Sequence, residues 1–168
     1  MKKIATVLVL ILIGFGLALI QAKREKVQKI HYHAGFQVYK DDKLVNFSDL
    51  KYMDVKPCTV SGKAIDSGND QLEKAHLHDL VGDVVHVHRN NAIWADLFKN
   101  IKYDVPKGSQ GYVNGQKTSD ILTYPIKPYD SVIIFIGSHK DIKEYLPKAV
   151  SKAHIQDIEK HSEACGAS

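Results

Sequence analysis

The sequence predicts an α+β domain, a small mixed sheet with a packed helix, followed by a C-terminal helix and preceded by an N-terminal transmembrane helix. Three observations predict it. Tyr32, Ala34, Phe36 and Val38 alternate with His31, His33, Gly35 and Gln37, the period of a strand buried on one face. Trp94/Phe98 and Ile93/Leu97/Ile101 draw one apolar stripe at helical spacing. Residues 131–136 form a continuous apolar run short enough for a buried strand.

In chain order, Met1, Lys2 and Lys3 precede an uncharged, apolar run over residues 4–20, and Lys23, Arg24, Lys26 and Lys29 follow it. As a helix, residues 4–22 cover roughly 28 Å, close to the hydrocarbon thickness of a bilayer. Residues 1–22 therefore read as a signal-anchor or transmembrane helix. A cleaved signal peptide is the alternative, since Gly16 and Ala18, or Ile20 and Ala22, offer small or weakly matching residues two apart. The basic cluster after the run would hold the domain in the cytoplasm by the positive-inside rule. The short n-region and the histidine-rich domain point instead to export, so an extracytoplasmic, membrane-anchored domain is expected.

Residues 23–30 read as a juxtamembrane linker, 31–138 as the globular domain and 139–168 as a C-terminal helical extension. Asp41 and Asp42 supply turn chemistry for a hairpin from the first strand into Leu44, Val45 and Phe47. Ser48 is expected to cap a helical turn over residues 49–53. Residues 61–69 are loop-like, and residues 72–75 could add a helical turn. Residues 84–89 form a strand by their β-branched content, and Asn91 is expected to cap the helix over 93–101, with Trp94 in the core. Asn114-Gly115 after Tyr112-Val113 signals a hairpin with a type I′ turn. Ser138 with Asp141 resembles a capping box, and Pro147 kinks the helix that follows or begins another running to about Glu163.

The order strand (84–89), helix (93–101), hairpin at Tyr112-Val113-Asn114-Gly115 and strand from Tyr129-Asp130-Ser131-Val132-Ile133-Ile134 resembles a β-grasp, the ubiquitin and sulfur-carrier fold. The likeness covers roughly a third of the chain and bears on fold more than function. Sulfur carriers end in Gly-Gly after the last strand, whereas Gly137-Ser138-His139 here leads into a helix, so thiocarboxylate chemistry is not implied. The full layout, an apolar N-terminus and then His31-Tyr32-His33, His76-Leu77-His78 and His86-Val87-His88, also resembles a group of membrane-anchored bacterial proteins with paired histidines. That likeness implies no particular activity.

Function is read from the histidines. Six of nine form His31/His33, His76/His78 and His86/His88. In a strand, residues two apart share a face about 7 Å apart, so each pair presents two imidazoles side by side. Tyr32, Leu77, Val85 and Val87 occupy the opposite phase, which puts the histidines on the non-core side. A hairpin with a three-residue loop at 81–83 would set His78 opposite His86 and His76 opposite His88. A one-residue slip would break the cluster.

Imidazole-rich sites suit divalent transition metals, Zn or Cu first, and binding should weaken below about pH 6 as the rings protonate. The chain lacks the Met clusters of a dedicated Cu(I) site and any Cys-X-X-Cys. Asp79 and Asp83 are candidate ligands or ring-orienting partners, with Asp83 better read as a turn residue. His139, His154 and His161 read as surface residues, although His161 and Cys165 stand one helical turn apart. Cys58 and Cys165 could form a disulfide outside the cytoplasm or remain thiols; a bridge needs Cα atoms within about 7 Å, which sequence does not give.

The competing readings are a metal-free interaction domain sensitive to pH through its histidines, and a metalloenzyme with Asp79 or Glu73 as base. A net charge of +4, without arginines interleaved with aromatics, argues against a nucleic-acid reader. No phosphate-cradling Gly-rich loop, nucleophile motif or haem-attachment motif occurs. The expected partners are the membrane and a metal ion. The sequence does not identify a protein partner.

Overall fold

The computed structural model describes residues 30–54, 59–60, 63–64 and 69–161. The apolar N-terminal run, the basic linker residues 23–29, both cysteines and most of the 61–69 loop fall outside the described residues. Among the described residues, no helix is long and apolar enough to cross a membrane.

The fold is mixed α+β, an open six-stranded sheet with helices. Its strands are β1 (Tyr32–Lys40), β2 (Lys43–Leu44), β5 (Val84–Val87), β6 (Gln110–Val113), β7 (Gln116–Thr118) and β8 (Ser131–Ile136); β3 (Thr59–Val60) and β4 (Lys63–Ala64) pair separately. The order is β2-β1-β8-β6-β7, and β5 shares β1's outer edge with β2. β1 and β8 run parallel at the centre, while the other pairings are antiparallel.

Turn chemistry sets the hairpins. Asp41 and Asp42 lie at φ of 49° and 62°, and Asn114 and Gly115 at 50° and 80°. Two central residues at positive φ make the turn whose twist matches that of its strands. Both hairpins fall where the sequence puts them.

Helix α1 (Asp70–Lys74) is capped by Asn69, whose Oδ1 accepts from Leu72 N at 3.2 Å. Helix α2 (Trp94–Asn100) starts after Ile93, whose backbone N–H donates to Asp96 Oδ2 at 3.1 Å. Asn91 is not the cap. It sits at φ 61°, the left-handed region that asparagine tolerates, and turns the chain ahead of the helix. Likewise Asp49, not Ser48, caps the 3-10 turn Leu50–Tyr52, accepting from Lys51 N. Asp141 caps Ile142–Glu144 alone, and Pro147 lies within a second 3-10 turn, Leu146–Lys148. The C-terminal helix α3 (Lys152–His161) begins beyond it, with Ser151 Oγ accepting from His154 N.

The sheet is covered on both faces. On one, Ala34, Phe36, Val38, Val85, Val87, Val132 and Ile134 pack with Trp94, Leu97 and Phe98 of α2. On the other, the 3-10 turns lie over Tyr39, Ile133 and Phe135, while Val150 and Ile155 cover Val84. Gly35 makes that second covering possible. A Cβ there would lie 2.6 Å from Val150 Cβ, closer than packed atoms approach.

Candidate metal centre

Period two puts Ala75, Leu77, Val85 and Val87 into the core and sends His76, His78, His86 and His88 to the other face. Three segments meet there. His33 on β1 lies opposite His86 on β5, and His76 lies opposite His86 on its far side. His76 and His86 exchange both backbone hydrogen bonds, at 3.0 and 2.9 Å. The expected register, His78 opposite His86, is therefore off by two residues: the turn between the segments is longer than three, with Asp79 and Leu80 both at positive φ. An even shift leaves every histidine on its face, so the cluster forms regardless.

The rings crowd together. His31 and His88 stack at 4.7 Å between centroids, His88 and His76 at 5.3 Å, with planes only 10° and 1° apart. His78 packs 3.5 Å from His86, and His33 4.0 Å from it. His33 Nε2 and His86 Nδ1 share a proton at 2.7 Å. All six sequence-predicted histidines thus gather. They divide by access: His33, His76, His78 and His86 are at most 5% exposed, His88 is half-buried and His31 faces solvent. Val150 and Ile155 pack at Gly35, and Glu159 of α3 reaches His33, so this end of the face is covered.

Within the group, His31, His86 and His88 each offer a ring nitrogen with all three atoms inside 4.8 Å, close enough to hold a metal ion. Zn–N bonds of about 2.0–2.1 Å put tetrahedral ligands about 3.3 Å apart, so the three nitrogens would draw together on binding an ion. His76 Nε2 and His88 Nε2 are buried without a hydrogen-bond partner. A buried, unsatisfied polar atom costs about 1–3 kcal/mol, a cost that a metal–nitrogen bond would remove.

Electrostatics keeps the rings in their ligand form. Burial lowers the His33 pKa to about 4, with help from His31 and against the pull of Glu159. Burial and then His76 lower His88 to about 3. Burial and then His78 push His86 well below its ordinary value, and lower His76 too. These four rings are neutral at pH 7, so a cation displaces no proton from them.

Around the cluster, Asp79 Oδ2 contacts His78 Nδ1, fitting the expected ring-orienting role. Asp83 pairs with His154 at 3.2 Å, outside the cluster. Glu73 sits 3.7 Å from Arg89, and its backbone carbonyl accepts from His88 N. His139 is not a surface residue: its ring packs 4.8 Å from Phe135, and Nε2 meets Ile136 O at 3.0 Å. His154 is half-exposed and His161 exposed, as expected.

Sequence reasoning missed Glu159 on α3. Its Oε1 lies 3.6 Å from His33 Nδ1, and its Oε2 accepts from Tyr129 O–H at 2.7 Å. The available signal was a carboxylate one helical turn beyond Ile155 and next to Ile158, on the face that packs inward.

Comparison with protein-family models, with curated proteins and with solved structures gives no match for this chain.

Proposed function

We propose that this chain is a membrane-anchored, extracytoplasmic module that binds a divalent transition metal, Zn or Cu first, through its clustered histidine pairs. The observation that carries the reading is the convergence of His31, His86 and His88 within 4.8 Å, set among buried neutral imidazoles. His33, His76 and His78 complete the surrounding shell and are reserve ligands. Imidazole alone, without thiolate or thioether, favours Zn, Cu(II) or Ni(II) over Cu(I). The anchor rests on the apolar run over residues 4–20, and the same layout underlies the likeness to anchored bacterial proteins with paired histidines.

The frame is proposed to be β-grasp-like. The order β2-β1-β8-β6-β7, parallel strands at its centre and α2 against one face support that reading. It bears on fold and carries no activity across.

Of the alternatives, a pH switch near 6.5 finds less support, because burial moves His33 and His88 to about 4 and about 3. A metalloenzyme would use the coordination position that three ligands leave open. Elemental analysis of the untagged chain before and after EDTA, with Zn and Cu titration of the His86→Ala/His88→Ala variant, tests the proposal. Near-stoichiometric metal in the wild type and loss of binding in the variant are expected. Unchanged stoichiometry and affinity in the variant would overturn it.

A further inference from the structure

His76 Nε2 and His88 Nε2 are both buried with no hydrogen-bond partner, and the chemical form of the first can be assigned. The other ring nitrogen of His76, Nδ1, lies 3.1 Å from Leu72 O. A carbonyl oxygen only accepts, so Nδ1 carries the proton and donates it. Burial, and then His78, lower the His76 pKa, so the ring is neutral at pH 7 and has a single N–H. Nε2 is therefore a bare lone pair shut off from solvent.

That lone pair is held in place by the backbone around it. His76 exchanges both backbone hydrogen bonds with His86, at 3.0 and 2.9 Å. Asn100 Nδ2 donates to Gln71 O at 2.8 Å and to Ala75 O at 2.7 Å, which pins the chain on both sides of Leu72. The His88 N–H donates to Glu73 O at 3.0 Å, tying the second ring to the same helix, α1. The two rings lie face to face with planes 1° apart and centroids 5.3 Å apart. Metal-binding histidines almost always donate their second ring N–H to a carboxylate, a backbone carbonyl or a water. His76 already has such a partner in Leu72 O.

We propose that His76 is a ligand of the metal centre through Nε2, forming with His88 a buried position for the ion on the side of β5 away from β1. β5 pairs with β1 along one edge and with His76 along the other, so His31 and His76 flank the strand that leads into His88. His88 stacks on each of them, at 4.7 Å and 5.3 Å. The two flanks differ in access: His31 faces solvent, whereas His76 is 3% exposed. An ion beside His76 is out of reach of a dissolved substrate, which makes this a position for retaining metal rather than for turnover.

The inference rests on the metal-binding reading, and the experiment separates the two. Ring-nitrogen NMR of the full, metal-free chain at pH 7 should show His76 as Nδ1–H with a bare Nε2. Finding Nε2–H there overturns the proposal without any variant. Spin-active Cd(II), standing in for Zn, should then show scalar coupling to His76 Nε2 while Nδ1–H is retained. Bound Cd that couples to other rings but not to His76 overturns the inner position and leaves the metal reading standing; a chain that binds neither Zn nor Cd overturns both. In His31→Ala the coupling at His76 should persist, and its loss would overturn a position separate from His31. Zn affinity in His76→Leu should fall by at least the roughly 10–100-fold that losing a ligand's hydrogen-bond partner costs. Unchanged affinity in that variant overturns the proposal, and if the variant does not fold, the coupling in the wild type decides.

Discussion

On one side of β1, Ala34, Phe36 and Val38 pack with Trp94, Leu97 and Phe98; on the other, His33 and Gly35 lie beneath Val150 and α3. Both sides are buried at these residues, but they are filled differently. The first is hydrocarbon against hydrocarbon, where every buried CH2 contributes about 0.8 kcal/mol. The second holds imidazoles whose charged forms are excluded and some of whose nitrogens lack partners. A face assembled only for stability would not carry such groups. The difference teaches that the apolar side holds the fold together, while the imidazole side carries a cost that a bound metal ion would offset.

The largest effect should come from breaking the apolar side. Phe36→Ala is expected to lower the unfolding free energy by about 3–5 kcal/mol, read by denaturant titration. Metal bound per folded molecule should not change. Equal loss of both would mean that the two sides are not separable.

Next in size is the contact that seals the imidazole side. Gly35→Ala puts a methyl 2.6 Å from Val150 Cβ, and overpacking of this kind costs about 1–3 kcal/mol. Hydrogen exchange in α3 should rise more than in α2. A uniform rise across the domain would show that the covering helix is not an independent unit.

Between about pH 6.5 and 4, acid should act chiefly on the imidazole side. His33 and His88 have lowered pKa values, about 4 and about 3, so the unfolded chain takes up protons first. Stability of the metal-free protein should be full above about pH 7 and fall as pH drops from about 6.5 toward 4. Thermal unfolding across that range would show it, and a flat profile would mean that the buried rings titrate normally.

The smallest effect on stability is expected from replacing a bonded pair together. In His33→Leu/His86→Leu, both partners of the 2.7 Å bond become apolar, so metal-free stability should stay within about 1 kcal/mol of wild type. Metal binding should be lost. A large loss of stability would show that imidazole packing, not metal capture, explains the cluster.

Much of this contrast was legible in the residues. Alternation along β1 and β5 fixes which side chains share a face, and Asp41-Asp42 and Asn114-Gly115 fix two turns by their tolerance of positive φ. The apolar run became β8 with the bounds expected. What lay beyond reach were facts of distance in three dimensions. Period two says that His33 leaves the core but not that α3 will cover it. The pairing of His76 with His86 depends on the turn at Asp79 and Leu80, whose length carries no periodic signal. Glu159 follows from neither, because its partner lies on the first strand of the sheet.

The central parallel pair has a further consequence, in time. Gly35 pairs with Ser131, so nearly the whole domain must be made before β1 gains its inner neighbour. Contacts so far apart in sequence close a long loop before any compensation arrives, which slows folding. Antiparallel pairing of β1 with β5 needs a shorter closure and brings His33 to His86 without β8. During synthesis the imidazoles can therefore meet while α3 is still to be made, leaving the face open to the surrounding solution before it is sealed.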